Sequence, residues 1–251
     1  MITNTNFIGK QYLHFKELDS TNTFLQHWAQ EAELAEGAAV SALVQTNGRG
    51  QRGTSWVSNP GENILTSVLF KPHFLRADEQ FWLSKTIALG VKDFMMQLLP
   101  AYNVRIKWPN DIYINNQKAA GILIENTIQS NTIRSCIAGI GININQLTAL
   151  PARSVSVKQL NGIQYELNHL LPMLYMALEE KYYLLKQGNY RAIDEMYKQS
   201  LYGYGEKLLF TDNILKQTIS GTITGTTAYG QLCLDTEFGL KTYDLKEISL
   251  L

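Results

Sequence analysis

Apolar and polar positions along this chain recur with two periods, which separate strands from helices. Tyr12 to Leu18 reads as a strand. Asp19-Ser20-Thr21-Asn22 then offers several N-caps for a helix carrying Phe24, Leu25, Trp28 and Ala29 on one side. Ala38 to Val44 is a continuous apolar run, the mark of a buried strand. After a turn at Asn59-Pro60-Gly61, Asn63 to Phe70 reads as another strand. Asp78 is placed to cap a helix whose apolar positions Phe81, Leu83, Ile87, Val91, Phe94, Met95 and Leu98 recur at helical spacing, stopping at Pro100.

From Asn103 the pattern turns to strands: Val104 to Trp108, Ile112 to Ile114, a tight turn at Asn115-Asn116, Ala119 to Glu125, and Thr132 to Asn145. Gly139 and Gly141 in the last of these mark places where something packs against the backbone. Leu147 to Asn161 reads as loop. Helices follow over Leu167 to Lys186 and Tyr190 to Leu201, with Gly188 as the C-cap between them. Beyond Gly203 and Gly205, short strands are predicted over Lys207 to Thr211, Gln217 to Gly225, Gln231 to Thr236, Leu240 to Tyr243 and Glu247 to Leu250. Strands this short, with glycine-bearing turns, predict a small β-barrel appended to a larger unit of helices and strands.

Composition narrows the function classes. The chain has 251 residues, enough for one main domain and a small appendage. With Lys+Arg 22 against Asp+Glu 22 it has no basic field for sequence-independent binding of DNA. No apolar run reaches transmembrane length, and Met1 to Lys10 lacks a signal-peptide pattern. Cys136 and Cys233, far apart in apolar stretches, read as two buried free thiols, so the expectation is a cytoplasmic protein without a membrane partner. His14, His27, His73 and His169 stand singly, without metal-ligand spacing.

The most informative segment is Gln45-Thr46-Asn47-Gly48-Arg49-Gly50-Gln51-Arg52-Gly53-Thr54-Ser55-Trp56. Three glycines let its backbone approach a ligand closely, and two arginines supply fixed charge for a carboxylate or phosphate. Gly48-x-Gly50-x-x-Gly53 matches the dinucleotide fingerprint as a bare pattern, but that fingerprint needs a helix beginning at the loop. Thr54 to Gly61 is a poor helix start. The partner motifs of a kinase glycine loop are missing, as is a Walker A sequence. What remains is a loop that wraps an anionic ligand and orders when it arrives.

Lys107-Trp108-Pro109-Asn110-Asp111 leaves a strand through a proline-restricted turn, which fixes where Asn110 and Asp111 point. A lysine, an amide and a carboxylate converging there suit a nucleotide and its magnesium. Taken alone the turn could equally be a hairpin opening beside a core tryptophan. Lys118 precedes the apolar strand Ala119 to Glu125, where Gly121 leaves room for a ligand against the backbone.

Together these blocks resemble the biotin protein ligases. The resemblance rests on Ser20-Thr21-Asn22, Gln45-x-x-Gly48-Arg49-Gly50-x-x-Gly53-x-x-Trp56, Lys107 to Asp111, Lys118-x-x-Gly121-Ile122-Leu123-x-Glu125 and Gly141-Ile142-Asn143, in that order over most of residues 12 to 160. Glu247-Ile248-Ser249-Leu250 resembles the end of that family's C-terminal domain. The implied fold is α+β: a mixed, largely antiparallel sheet with helices, like class II synthetases, over residues 1–204, and a small SH3-like β-barrel over 205–251.

The resemblance implies an enzyme that joins biotin and ATP into biotinyl-5′-adenylate and then biotinylates one lysine of a biotin carboxyl carrier protein. Carried over by motif, Ser20, Thr21, Asn22 and Gln45 hold the biotin head group, with Arg49, Gly50, Gln51, Lys118 and Gly121 completing the biotin site. Arg49, Arg52, Trp56, Lys107, Asn110, Asp111 and Asn143 serve the nucleotide, Trp56 at the adenine. Lys118, Arg49 and Lys107 are the catalytic cations, and Asp111 is the magnesium ligand. The loop near Leu147 to Lys158 orders over the nucleotide. The resemblance leaves a homodimer open.

Two departures qualify it. Position 51 is often arginine in that family and is Gln51 here, which exchanges a charge for an amide beside the expected adenylate. Regulatory members also carry an N-terminal helix-turn-helix domain, whereas the catalytic strand here begins near Tyr12, so DNA-binding repression is not expected. Lipoate ligases and octanoyltransferases share the implied fold and are the nearest rival, though the Gly-Arg-Gly loop followed by Lys-Trp-Pro-Asn-Asp favours biotin. A non-catalytic biotin or nucleotide sensor is the other alternative, and it leaves Lys107 and Lys118 without a task.

Overall fold

Strands β1 (Tyr12–Leu18) and β2 (Ala39–Gln45) run parallel, linked by helix α1 (Thr21–Glu31). The computed structural model describes residues 4–251, except for the side chain of Arg52. Ser20 caps α1, its hydroxyl accepting from Thr23 N–H. Strand β3 (Ile64–Phe70) follows, then helix α2 (Phe81–Leu98), β4 (Val104–Lys107), β5 (Asp111–Ile114), β6 (Gln117–Gln129) and β7 (Thr132–Ile142). These strands form one sheet of order β1-β2-β3-β7-β6-β5-β4, parallel between β1 and β2 and antiparallel elsewhere. The sheet is mixed, as the family resemblance implies.

Helices cover both faces of the sheet centre, so all seven residues of β3 are buried. Side chains alternate across it. Leu69 packs with Leu25 and Val40 on the α1 side, while Val68 and Phe70 join the main core with α2 and α4 (Leu167–Lys186). Asn115 and Asn116 take φ of 49° and 64°, the left-handed pair that the β5–β6 hairpin turn requires.

Three local expectations are corrected. Asp78 does not cap α2: it lies in a one-turn 3₁₀ segment, Ala77–Glu79, where its carboxylate takes two hydrogen bonds from Arg76. The backbone turn is completed before Phe81, so the helix starts later than the polar residue suggests. The stretch read as loop holds a short helix α3 (Val157–Asn161), because Ser156 and Gln159 make a reciprocal capping box. Of the two thiols, Cys136 is buried but Cys233 is only half-buried.

After α5 (Tyr190–Ser200) come β8 (Lys207–Asp212), β9 (Gln217–Thr226), β10 (Leu232–Thr236), β11 (Gly239–Tyr243) and β12 (Ile248–Leu250). They form a five-stranded antiparallel sheet of order β11-β10-β9-β8-β12, compatible with an SH3-like fold. The expected barrel does not close: among the described residues no ladder joins β11 to β12, and β12, three residues long, lies at the edge of the sheet beside β8. The apolar face of this sheet, with Phe210, Ile223, Leu232 and Leu234, is continuous with the main core. Trp108 Nε1 donates to Gly230 O at 2.8 Å, tying the second sheet to the end of β4. Among the described residues, no helix is long and apolar enough to cross a membrane.

Candidate active site

Segments that lie far apart in sequence meet at one cavity of about 310 Å³. The start of α1 brings Ser20, Thr21 and Asn22, all almost fully buried. The end of β2 brings Gln45, whose Oε1 accepts from Thr21 N–H at 2.8 Å and Thr21 Oγ1–H at 3.0 Å. Neutral donors and acceptors therefore line this end, without a charge among them.

The glycine segment folds back over the cavity as a small hairpin. Arg49 pairs with Ser55, Gly50 N–H donates to Thr54 O at 2.6 Å, and Trp56 N–H donates to Gly48 O at 2.9 Å. One 3₁₀ turn, Gln51–Gly53, forms its tip, and no α-helix begins there, so the dinucleotide geometry is absent. Arg49, Gly50, Gln51, Thr54, Ser55 and Trp56 all face the cavity. The Arg52 side chain, expected at the nucleotide, lies outside the described residues.

Trp56 ends this hairpin with its indole packed close against Gly121 of β6 and Gly141 of β7. A Cβ at Gly141 would overlap the indole, and one at Gly121 would sit 2.9 Å from it. The sequence signal of glycines inside buried strands thus has a direct cause. Gly139 plays the same part for Asn22, whose side-chain oxygen occupies the space a Cβ would need. Trp56 Nε1 is buried without a hydrogen-bond partner.

The opposite end of the cavity is cationic. Lys107, Trp108, Pro109, Asn110 and Asp111 line it from the β4–β5 turn, where the Trp108–Pro109 peptide is cis. Asn110 is buried, its amide donating to Ile122 O. Lys118 Nζ pairs with Asp111 Oδ1 at 2.7 Å and stands 5.8 Å from the centre of the Trp56 ring. Lys107 Nζ lies 4.7 Å from the centre of the Tyr113 ring. Burial pulls the Lys107 ammonium below the ordinary lysine range; the Asp111 carboxylate opposes this, and Arg153 adds to it. Among the described residues Asp111 is the sole carboxylate in the lining, and no group of three metal-ligating side chains occurs anywhere.

Of the residues singled out in the sequence, Asn143 is not brought to the cavity wall. Its amide donates to Val155 O at 3.2 Å and reaches Lys118 O at 3.5 Å, so it fastens the 153–157 segment beside β6. Sequence reasoning missed Leu245 and Lys246, which reach the cavity from the C-terminal sheet. It also passed over Ser67, buried on β3, which hydrogen-bonds both Thr21 and Asn22. A polar pair, Thr66-Ser67, inside an otherwise apolar strand was the available signal.

Comparison with known proteins agrees with this geometry. Residues 14–143 match the biotin/lipoate A/B protein ligase family. The bifunctional ligase/repressor BirA of Bacillus spizizenii is 28% identical over 248 residues, 96% of this chain and 74% of its own length. The biotin--[acetyl-CoA-carboxylase] ligase of Paracoccus denitrificans is 37% identical over 131 residues, 50% of this chain and 51% of its own. Among solved structures, the biotin protein ligase from Aquifex aeolicus in complex with biotin and ATP superposes with a TM-score of 0.78 at 25% identity, covering 96% of this chain and 99% of that one.

Proposed function

The chain belongs to the biotin/lipoate A/B protein ligase family, and we propose that it is a biotin ligase of the carboxyl carrier protein. It forms biotinyl-5′-adenylate from biotin and ATP and passes biotin to one lysine of the carrier. The observation that carries this reading is a single cavity, neutral at the Thr21–Gln45 end and cationic at the Lys107–Lys118 end, in a chain that superposes over nearly its whole length on a ligase holding both substrates.

The chemistry follows from that polarity. An uncharged ureido group needs paired neutral donors and acceptors, which Ser20, Thr21 and Gln45 offer at the closed end. The biotin carboxylate then points toward Arg49 and Lys118. One of its oxygens bonds to the α-phosphorus as the bond to the β-phosphate oxygen breaks and pyrophosphate leaves. Two anions must approach for this, and the fixed charges of Arg49, Lys118 and Lys107 offset their repulsion and the charge that develops in flight. Holding both substrates in line does much of the rest, which fits a cavity without a histidine. In the second step the carrier lysine's amine attacks the acyl carbon, a C–N bond forms, and AMP departs with the acyl C–O electron pair.

Trp56 and the 48–56 hairpin wall the adenylate from water, which would otherwise hydrolyse it. A magnesium ion fits the donor set in a limited way: Asp111 is one carboxylate beside the cations, and Mg²⁺ usually takes one or two carboxylates plus phosphate oxygens. When bound with the nucleotide it supplies charge neutralisation at the phosphates. In this reading residues 1–204 form the catalytic unit and 205–251 a C-terminal unit that lends Leu245 and Lys246 to the cavity mouth. Biotin-dependent release of pyrophosphate tests the proposal, with lipoate and octanoate as the competing acids; release with either of those and none with biotin overturns it.

A further inference from the structure

Glu125 stands outside the cavity lining, yet it holds two residues that line it. Its Oε2 accepts from Arg49 Nη2 at 2.9 Å and from Asn22 Nδ2 at 2.8 Å. Asn22 is itself fixed: Ser67 Oγ lies 2.5 Å from Asn22 Oδ1 and 2.7 Å from Thr21 Oγ1, and Thr21 N–H donates to Gln45 Oε1 at 2.8 Å. Thr21, Asn22 and Ser67 are almost fully buried, so these bonds form where water competes least. The result is an unbroken path of hydrogen bonds from Gln45, at the neutral end of the cavity, to the one arginine of the glycine hairpin whose side chain is described.

We infer that Glu125 is a positioning residue for Arg49, with Asn22 as its anchor. This rests on the ligase reading above. A free arginine on a glycine-rich hairpin samples many rotamers, and fixing it for an anion costs entropy at the moment of binding. The Glu125 carboxylate restricts the guanidinium in advance, since it is itself held from the strand side by Asn22. The pair is about one-third exposed on each side, at 38% and 34%, so it constrains Arg49 without sealing it from an incoming carboxylate or phosphate. Glu125 touches no substrate in this scheme and acts through Arg49 alone.

That dependence is directly testable by a double-mutant cycle. The affinity of a non-hydrolysable biotinyl-adenylate mimic is measured by calorimetry for the unaltered protein, Glu125→Gln, Arg49→Ala and the double variant. Glutamine is isosteric with glutamate, so the fold is spared, and thermal melts confirm it. Glu125→Gln is expected to weaken binding about tenfold when Arg49 is present and less than about twofold when it is absent. Equal losses in both backgrounds, or no loss in either, overturn the inference. Failure of the unaltered protein to bind the mimic at all overturns the ligase reading instead, so the two failures are distinct.

Discussion

Lys118 and Asp111 face each other across the β5–β6 hairpin, Nζ to Oδ1 at 2.7 Å, with each side chain about one-third exposed. An ion pair this open contributes little to stability, roughly 1 kcal/mol or less. Its value is positional, because it holds an ammonium beside the indole of Trp56, where the proposed reading has the two substrates meet.

Replacing Lys118 by alanine is therefore expected to slow adenylate formation on the order of a hundredfold, while biotin affinity changes little. The neutral contacts at Thr21 and Gln45 remain intact in that variant. Calorimetry that finds biotin affinity lost, with normal turnover at saturating biotin, contradicts this assignment.

Gln51 faces the cavity at the start of the 3₁₀ turn, and its backbone oxygen accepts from both Thr54 N–H and Thr54 Oγ–H. The turn is thus held through the backbone, which leaves the side chain free to be exchanged. Gln51→Arg adds a charge beside the expected adenylate and should lengthen the lifetime of the bound adenylate several-fold. Single-turnover release experiments measure this; an unchanged rate rules it out.

Lys107 loses its charge at lower pH than an ordinary lysine, because burial disfavours the ammonium more than Asp111 restores it. As pH rises through this lowered value, one of the cations that the proposed reading sets against the triphosphate disappears. The adenylation rate should fall on an alkaline limb, and Lys107→Arg should move that limb upward, since a guanidinium keeps its charge. A limb at the same pH in both proteins assigns it to another group.

Glu179 fastens the N-terminal segment to α4. Its Oε1 accepts from Asn6 N–H and the Asn6 side-chain amide at 2.7 and 2.8 Å, and its Oε2 from Phe7 and Ile8 N–H at 2.9 and 3.0 Å. Burial alone would push its pKa up, but the bonds from Phe7, Asn6 and Ile8 outweigh that and hold the carboxyl below its ordinary value. A depressed folded pKa gives stability that is present above the unfolded value and lost as pH falls through the folded one. Glu179→Gln should cost about 1–3 kcal/mol near neutrality. The difference in melting temperature between the two proteins should shrink in acid; a constant difference contradicts the account.

Much of this site was legible because its motifs are local. The glycine hairpin, the Lys107 to Asp111 turn and Lys118-x-x-Gly121 each carry their chemistry within a few residues, and the sheet then brings them together. Asn143 read the same way, yet its amide serves the backbone of Val155, which no local pattern reveals. The partners of Ser67, whose polarity alone stood out in its apolar strand, and the bond between Glu125 and Arg49 were invisible for a different reason. They depend on β3 pairing with β7 and β7 with β6, a sheet order that periodicity cannot supply. Leu245 and Lys246 reach the cavity only because the second sheet folds back against Trp108. The SH3-like sheet was legible from its short strands and glycine-bearing turns, but whether it closes was not, because a strand's pattern says nothing of which edges pair.

The most direct measurement is the mass of a biotin carboxyl carrier domain after incubation with this protein, biotin and Mg·ATP. The account predicts a single biotin added to one lysine of the carrier, dependent on both biotin and ATP. An unchanged carrier mass, or modification only when lipoate or octanoate replaces biotin, would contradict it.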